Sequence, residues 1–125
     1  MTMKFYRSRK ENSIYSYVSV AGLPVEDKAD EELVPNKVDA AQEKHVPVIE
    51  KEDKLVTVKV GSVAHPMTEE HYIVFIAIET KYGTQTKNLH PGDKPEAVFT
   101  LSADDEILAA YEYCNLHGLW MADAK

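Results

Sequence analysis

The sequence predicts an all-β chain folded as a β-sandwich, on three observations. Residues 54–60 alternate, with Leu55 and Thr57 on one face and Val56, Val58 and Val60 on the other. Residues 71–80 form a β-branched and aromatic run, as a central strand requires. Turn residues punctuate the chain at short intervals from residue 61 to residue 93.

The elements follow in order. Lys4–Arg7 and Ile14–Val20 flank a polar turn at residues 8–13, which predicts a β-hairpin. Residues 21–37 hold Gly22, Pro24, an acidic stretch and Pro35, the composition of a linker or loop, so the predicted boundary lies near residue 37. Val46–Glu50 reads as a short strand, followed by Lys54–Val60 and His71–Thr80. Tyr82-Gly83 turns the chain into Thr84–Leu89, and Pro91-Gly92-Asp93 turns it again before Ala97–Leu101. Residues 102–113 fit two templates. Ser102-Ala103-Asp104-Asp105 resembles a helix N-cap followed by Ile107, Leu108, Tyr111 and Cys114 at helical spacing, yet Tyr111-Glu112-Tyr113 also suits a strand. No internal repeat or low-complexity tract stands out.

At 125 residues with 44% hydrophobic content, the chain fits one globular domain with a small appendage. Its apolar runs fall far short of the ~20 residues that span a bilayer, and Met1–Arg7 lacks the apolar segment of a signal peptide. No membrane association is expected. The single cysteine cannot form an intrachain disulfide, and a reducing, cytoplasmic location fits it best. The net charge of −7 and the lack of a basic stripe argue against nucleic acid as a partner. Residues 1–37 carry six Lys/Arg against six Asp/Glu, whereas residues 38–125 carry eight against fifteen. An anionic substrate would therefore need a local cation near its site.

The chemistry concentrates near the C-terminus. Cys114 lies three residues before His117, one soft ligand and one borderline. Three residues apart on an extended strand, the two would face opposite ways. They reach one metal only if the chain turns, and Asn115 and Gly118 are residues that permit a turn. His45 stands before Val46-Pro47, and His65 and His71 bracket Pro66–Glu70 ahead of a strand. All of these positions fall at loop–strand junctions, where a scaffold gathers ligands at one end. Taken singly, each has a plainer role: a lone cysteine is commonly a small buried hydrophobe, and His90, next to Pro91, reads as a surface histidine. The combination favours a metal. Structural zinc usually takes more thiolates, and an iron–sulfur or four-cysteine iron site needs four. A cupredoxin-like copper electron carrier would use Cys114, His117 and Met121 with one upstream histidine, in that family's ligand order, but leaves other loop histidines without a role.

Three stretches carry a family resemblance: Val38-Asp39-Ala40-Ala41-Gln42-Glu43-Lys44-His45-Val46-Pro47-Val48, Val58–Met67 running on to His71-Tyr72-Ile73, and Glu112-Tyr113-Cys114-Asn115-Leu116-His117-Gly118-Leu119-Trp120. Together they resemble the superoxide reductase family, the desulfoferrodoxin and neelaredoxin proteins. The resemblance implies an immunoglobulin-like β-sandwich with a mononuclear non-haem iron at one end, one per chain. The imidazoles would be those of His45, His65, His71 and His117, and the thiolate that of Cys114. It implies one-electron reduction of superoxide to hydrogen peroxide without release of dioxygen. Lys44 matches the family lysine that draws in the anion, and Glu43 the glutamate that occupies the sixth iron position in the oxidised resting state. It implies a strand at 107–113, a rubredoxin-like electron donor and a homo-oligomer, a dimer or tetramer. Residues 1–113 contain no cysteine, so the additional four-cysteine iron of desulfoferrodoxins cannot form. The expected organisation is a metal-free N-terminal extension over 1–37, a vestige of that small domain, and an iron-binding domain over 38–125. Tyr6, Tyr15 and Tyr17 of the extension would suit a dimer contact.

Overall fold

A computed structural model describes residues 3–16, 30–38 and 45–124. Among these, every regular element is a strand, and no helix is long and apolar enough to cross a membrane. The chain divides into two compact units, Met1–Val34 and Pro35–Lys125.

The first unit holds β1 (Phe5–Arg7), β2 (Ile14–Ser16) and β3 (Glu31–Leu33), in the sheet order β2-β1-β3 with both pairings antiparallel. The expected hairpin is present as β1 and β2, though residues 17–20 of its second strand lie outside the described residues. The expectation of a linker or loop over 21–37 needs correcting at residues 31–33, while residues 21–29 lie outside the described residues. Glu31–Leu33 is a strand, because β1 offers a second free edge and the acidic segment pairs with it. Its position is secured by side chains. The Tyr15 hydroxyl donates to Asp30, the Arg9 amide donates to the same carboxylate, and Tyr6 stacks on Tyr15 with ring centroids 5.7 Å apart. These hydrogen bonds, that of Tyr15 foremost, hold the Asp30 carboxyl below its ordinary range.

The second unit is a sandwich of two antiparallel sheets. β4 (Pro47–Glu52), β5 (Leu55–Val60) and β8 (Glu96–Thr100) form one, in the order β4-β5-β8. β6 (Ile73–Thr80), β7 (Gly83–Asn88), β9 (Ile107–Cys114) and β10 (Gly118–Asp123) form the other, in the order β10-β9-β6-β7. Val56, Val58 and Val60, as the alternation requires, meet Ala97 and Phe99 of their own sheet and Ile73, Ile76, Ile78, Ala110 and Cys114 of the facing one. Seven strands in sheets of three and four match an immunoglobulin-like architecture. The ambiguous segment is a strand. β9 lies between β6 and β10, so burial on both faces outweighs its helical spacing.

One irregularity matters for the site. In the β6–β9 ladder Ile73 pairs with Cys114 and Phe75 with Tyr113, so Val74 is an extra residue. A bulge of this kind lets Ile73 and Ile76, an odd three apart, both enter the core. It also ends regular pairing at Cys114 and re-aims the chain that precedes Ile73.

Candidate metal centre

The sandwich gathers five candidate ligands at one end. Cys114 is the last residue of β9 and is fully buried, packed into the core cluster. The β9–β10 reversal follows, with Cys114 opposite Gly118 in register. Gly118 closes it at a φ of 84°, in the left-handed region that favours glycine. The reversal is what brings His117 back beside the thiol, with Nδ1 3.8 Å from Cys114 Sγ. His45 leads into β4, and His65 and His71 bound the loop that enters β6.

The four imidazoles form a closed square. Ring centroids are 4.8 Å apart for His45 and His65, 4.6 Å for His65 and His71, 5.1 Å for His71 and His117, and 4.8 Å for His117 and His45. Successive planes meet at 65°, 81°, 73° and 72°, so each ring presents an edge to its neighbour. Donor atoms of His45, His65, His71 and Cys114 all lie within 4.8 Å of one another. His117 joins them through Nδ1, which is 3.1 Å from His45 Nε2. Two imidazole nitrogens this close share either a proton or a cation.

Surrounding groups set the tautomers and ring positions. His65 Nδ1 donates to the carbonyl of Pro66 at 2.8 Å, which leaves its Nε2 with a lone pair, as a ligand nitrogen requires. Trp120 Nε1 donates to the His117 carbonyl at 3.1 Å. The His65–His71 loop is tied back on itself. The Thr68 amide donates to the His71 carbonyl at 2.9 Å, and the His71 amide donates to Thr68. The Gly92 amide donates to the Met67 carbonyl, and the Ile73 amide to Met67 Sδ. His45 and His65 are buried, His71 is half-buried and His117 is exposed.

The donor set fits iron. Imidazole and thiolate are both ligands that iron accepts. Five donors exceed the four of a structural zinc site. The copper set finds no support. Met121 pairs with Tyr111 and Gly118 with Cys114, so Met121 and Cys114 project from opposite faces of their sheet. His90 stays apart, exposed in a turn where its amide donates to Asp93. Glu43 and Lys44 lie outside the described residues.

Sequence reasoning passed over two contributors. Trp120 carries no metal chemistry of its own and shows its role by stacking on His45 and by its hydrogen bond to the His117 carbonyl. Asn115 is legible as a turn residue, but not as the bridge it forms. Its backbone amide donates to the Tyr72 carbonyl at 3.2 Å, and its side chain bonds backbone groups of both Glu70 and Tyr72.

Comparison with known proteins agrees with this geometry. A family model described as Desulfoferrodoxin matches residues 37–123. A desulfoferrodoxin of Syntrophotalea carbinolica is 54% identical over 91 residues, covering 73% of this chain and 71% of that protein. A superoxide reductase of Pyrococcus horikoshii is 39% identical over 95 residues, covering 62% of this chain and 83% of that one. The crystal structure of the superoxide reductase from Treponema pallidum superposes with a TM-score of 0.81 at 38% identity, covering 98% of each chain.

Proposed function

The chain belongs to the desulfoferrodoxin family, and on that premise we propose that it is a superoxide reductase. In the reaction, one superoxide takes up one electron and two protons to give hydrogen peroxide, and no dioxygen is formed. The observation that carries the reading is the closed square of imidazoles with the Cys114 thiol beside it.

Iron bound in this cluster, one per chain, would supply the electron and return to the ferrous state through an external donor. His45, His65, His71 and His117 are proposed as its nitrogen ligands and Cys114 as its sulfur ligand. The chain's own part is positional. The Pro66 carbonyl holds the His65 proton on Nδ1 and keeps Nε2 ready to bind. Cys114, sealed from water, must lose its proton to act as a ligand, so loading releases a proton. Superoxide is proposed to approach from the side of His117, which is exposed.

Lys44 is proposed to draw the anion toward this acidic domain, and Glu43 to occupy the remaining iron position in the oxidised resting state. Residues 38–125 are proposed as the iron domain and 1–37 as a metal-free extension serving dimer contact. A rubredoxin-like protein is proposed as the donor, with the chain acting in the cytoplasm as a homo-oligomer.

The test is elemental analysis followed by a stoichiometric superoxide assay under anaerobic resupply of electrons. One iron per chain and one peroxide per superoxide without dioxygen is the expected result. Half a peroxide per superoxide, with dioxygen evolved, would mean dismutation and would overturn the reading.

A further inference from the structure

We propose that Asn115 is a positioning residue for His71, its side-chain amide clamping the backbone on both sides of that imidazole and fixing it to the Cys114 turn. The inference rests on the reading of the cluster as an iron site. The Asn115 Nδ2 donates to the Glu70 carbonyl at 3.0 Å, and the Tyr72 amide donates to Asn115 Oδ1 at 2.9 Å. Glu70 and Tyr72 are the two residues that flank His71. One planar group thus bonds the chain immediately before and immediately after the ring-bearing residue.

The position explains why such a clamp is needed. Regular β6–β9 pairing stops at Ile73 and Cys114, one residue beyond the bulge at Val74. His71 lies past that point, before the first residue of β6. The Asn115 amide, donating to the Tyr72 carbonyl, prolongs the pairing by one step, and the side chain then takes the place of the missing rungs. The Thr68 turn and the bond from the Gly92 amide to the Met67 carbonyl secure the loop's other side. Asn115 is what ties it to the strand that carries the thiol. Asparagine suits the task because one short side chain offers both a donor and an acceptor. Aspartate has no donor for Glu70, and alanine has neither group.

Asn115 thus links the segments that carry two of the five proposed ligands, Cys114 and His71. Losing partners that orient ligands typically costs about 10- to 100-fold in metal affinity. The test uses the full-length chain as wild type, Asn115→Ala and Asn115→Asp, with Ile78→Val as a control that loosens the core toward the far end of β6. Ferrous iron release to a chelator, the sulfur-to-iron absorption of the oxidised protein, and amide exchange at Tyr72 in the metal-free protein are measured on each. Asn115→Ala is expected to release iron about 10- to 100-fold faster, shift the absorption and lose protection at Tyr72 while Ile76 stays protected. Asn115→Asp, which keeps the acceptor for Tyr72, is expected to fall between and to decide the matter should the alanine variant not fold. Ile78→Val should lower thermal stability with iron release unchanged.

Wild-type release, absorption and Tyr72 protection in both variants would overturn the clamp. Should the wild type bind no iron, the functional reading fails instead. Exchange at Tyr72 then still decides the clamp: protection lost in Asn115→Ala supports it, and protection retained overturns it.

Discussion

Trp120 lies flat against His45, with ring centroids 4.8 Å apart and planes 17° from parallel. The indole also donates to the His117 carbonyl, so one side chain contacts the ring of His45 and the backbone of His117. Trp120→Ala should cost about 3–5 kcal/mol of stability, as for other truncated buried aromatics, and speed iron release about 10- to 100-fold. Trp120→Phe keeps the stack and loses one hydrogen bond, worth about 1 kcal/mol, with iron release near wild type. Iron release from Trp120→Ala at the wild-type rate would show that the stack packs the core without orienting His45.

Cys114 is both core residue and candidate ligand, and the two roles separate in Cys114→Ser. The hydroxyl is nearly isosteric, but burying it costs about 1–3 kcal/mol unless it finds a partner. Urea unfolding of the metal-free variant should show that loss. In the iron-loaded variant, the sulfur-to-iron charge-transfer absorption should vanish with most of the activity. A variant that keeps both would remove Cys114 from the ligand set.

Much of this was legible in the sequence because single residues announced it. Val56, Val58 and Val60 alternate, and they line the core. The turn needed to swing His117 back toward Cys114 was implied by Asn115 and Gly118, and the chain does reverse there. What stayed hidden depends on neighbours distant in sequence. Glu31–Leu33 is polar and becomes a strand only because β1 presents an edge. Gly118–Asp123 has a weak strand pattern of its own, and β9 supplies its partner. The amide bridge from Asn115 to Glu70 and Tyr72 spans more than forty positions, which no local pattern encodes.

Asp105 gives a pH-dependent stability that is separate from the metal. Burial pushes its carboxyl up, but hydrogen bonds from the Thr80 hydroxyl and the backbone amides of Tyr82 and Glu106 outweigh this. They hold it below the ordinary value of 3.8. The folded protein then binds fewer protons here than the unfolded chain. The stabilisation is therefore fully present above 3.8 and is lost as pH falls through the lower folded value. Asp105→Asn should be less stable than wild type at pH 7, with the gap narrowing under acid. Denaturant unfolding of metal-free protein at both pH values checks this, and a constant gap would assign the loss to shape rather than charge.

Lys44 tests whether a local cation overcomes the acidic character of residues 38–125, where fifteen Asp/Glu face eight Lys/Arg. A field of that sign slows an approaching anion, and a local cation would offset it. Lys44→Ala should therefore slow the second-order reaction with superoxide by about tenfold at low ionic strength, the lower end of what steering supplies, with iron content unchanged. The difference should shrink with added salt, since the screening length falls to about 3 Å at 1 M. Lys44→Arg, which keeps the charge, should react close to the wild-type rate. Equal rates for the alanine variant and wild type at low salt would remove Lys44 from the capture of substrate.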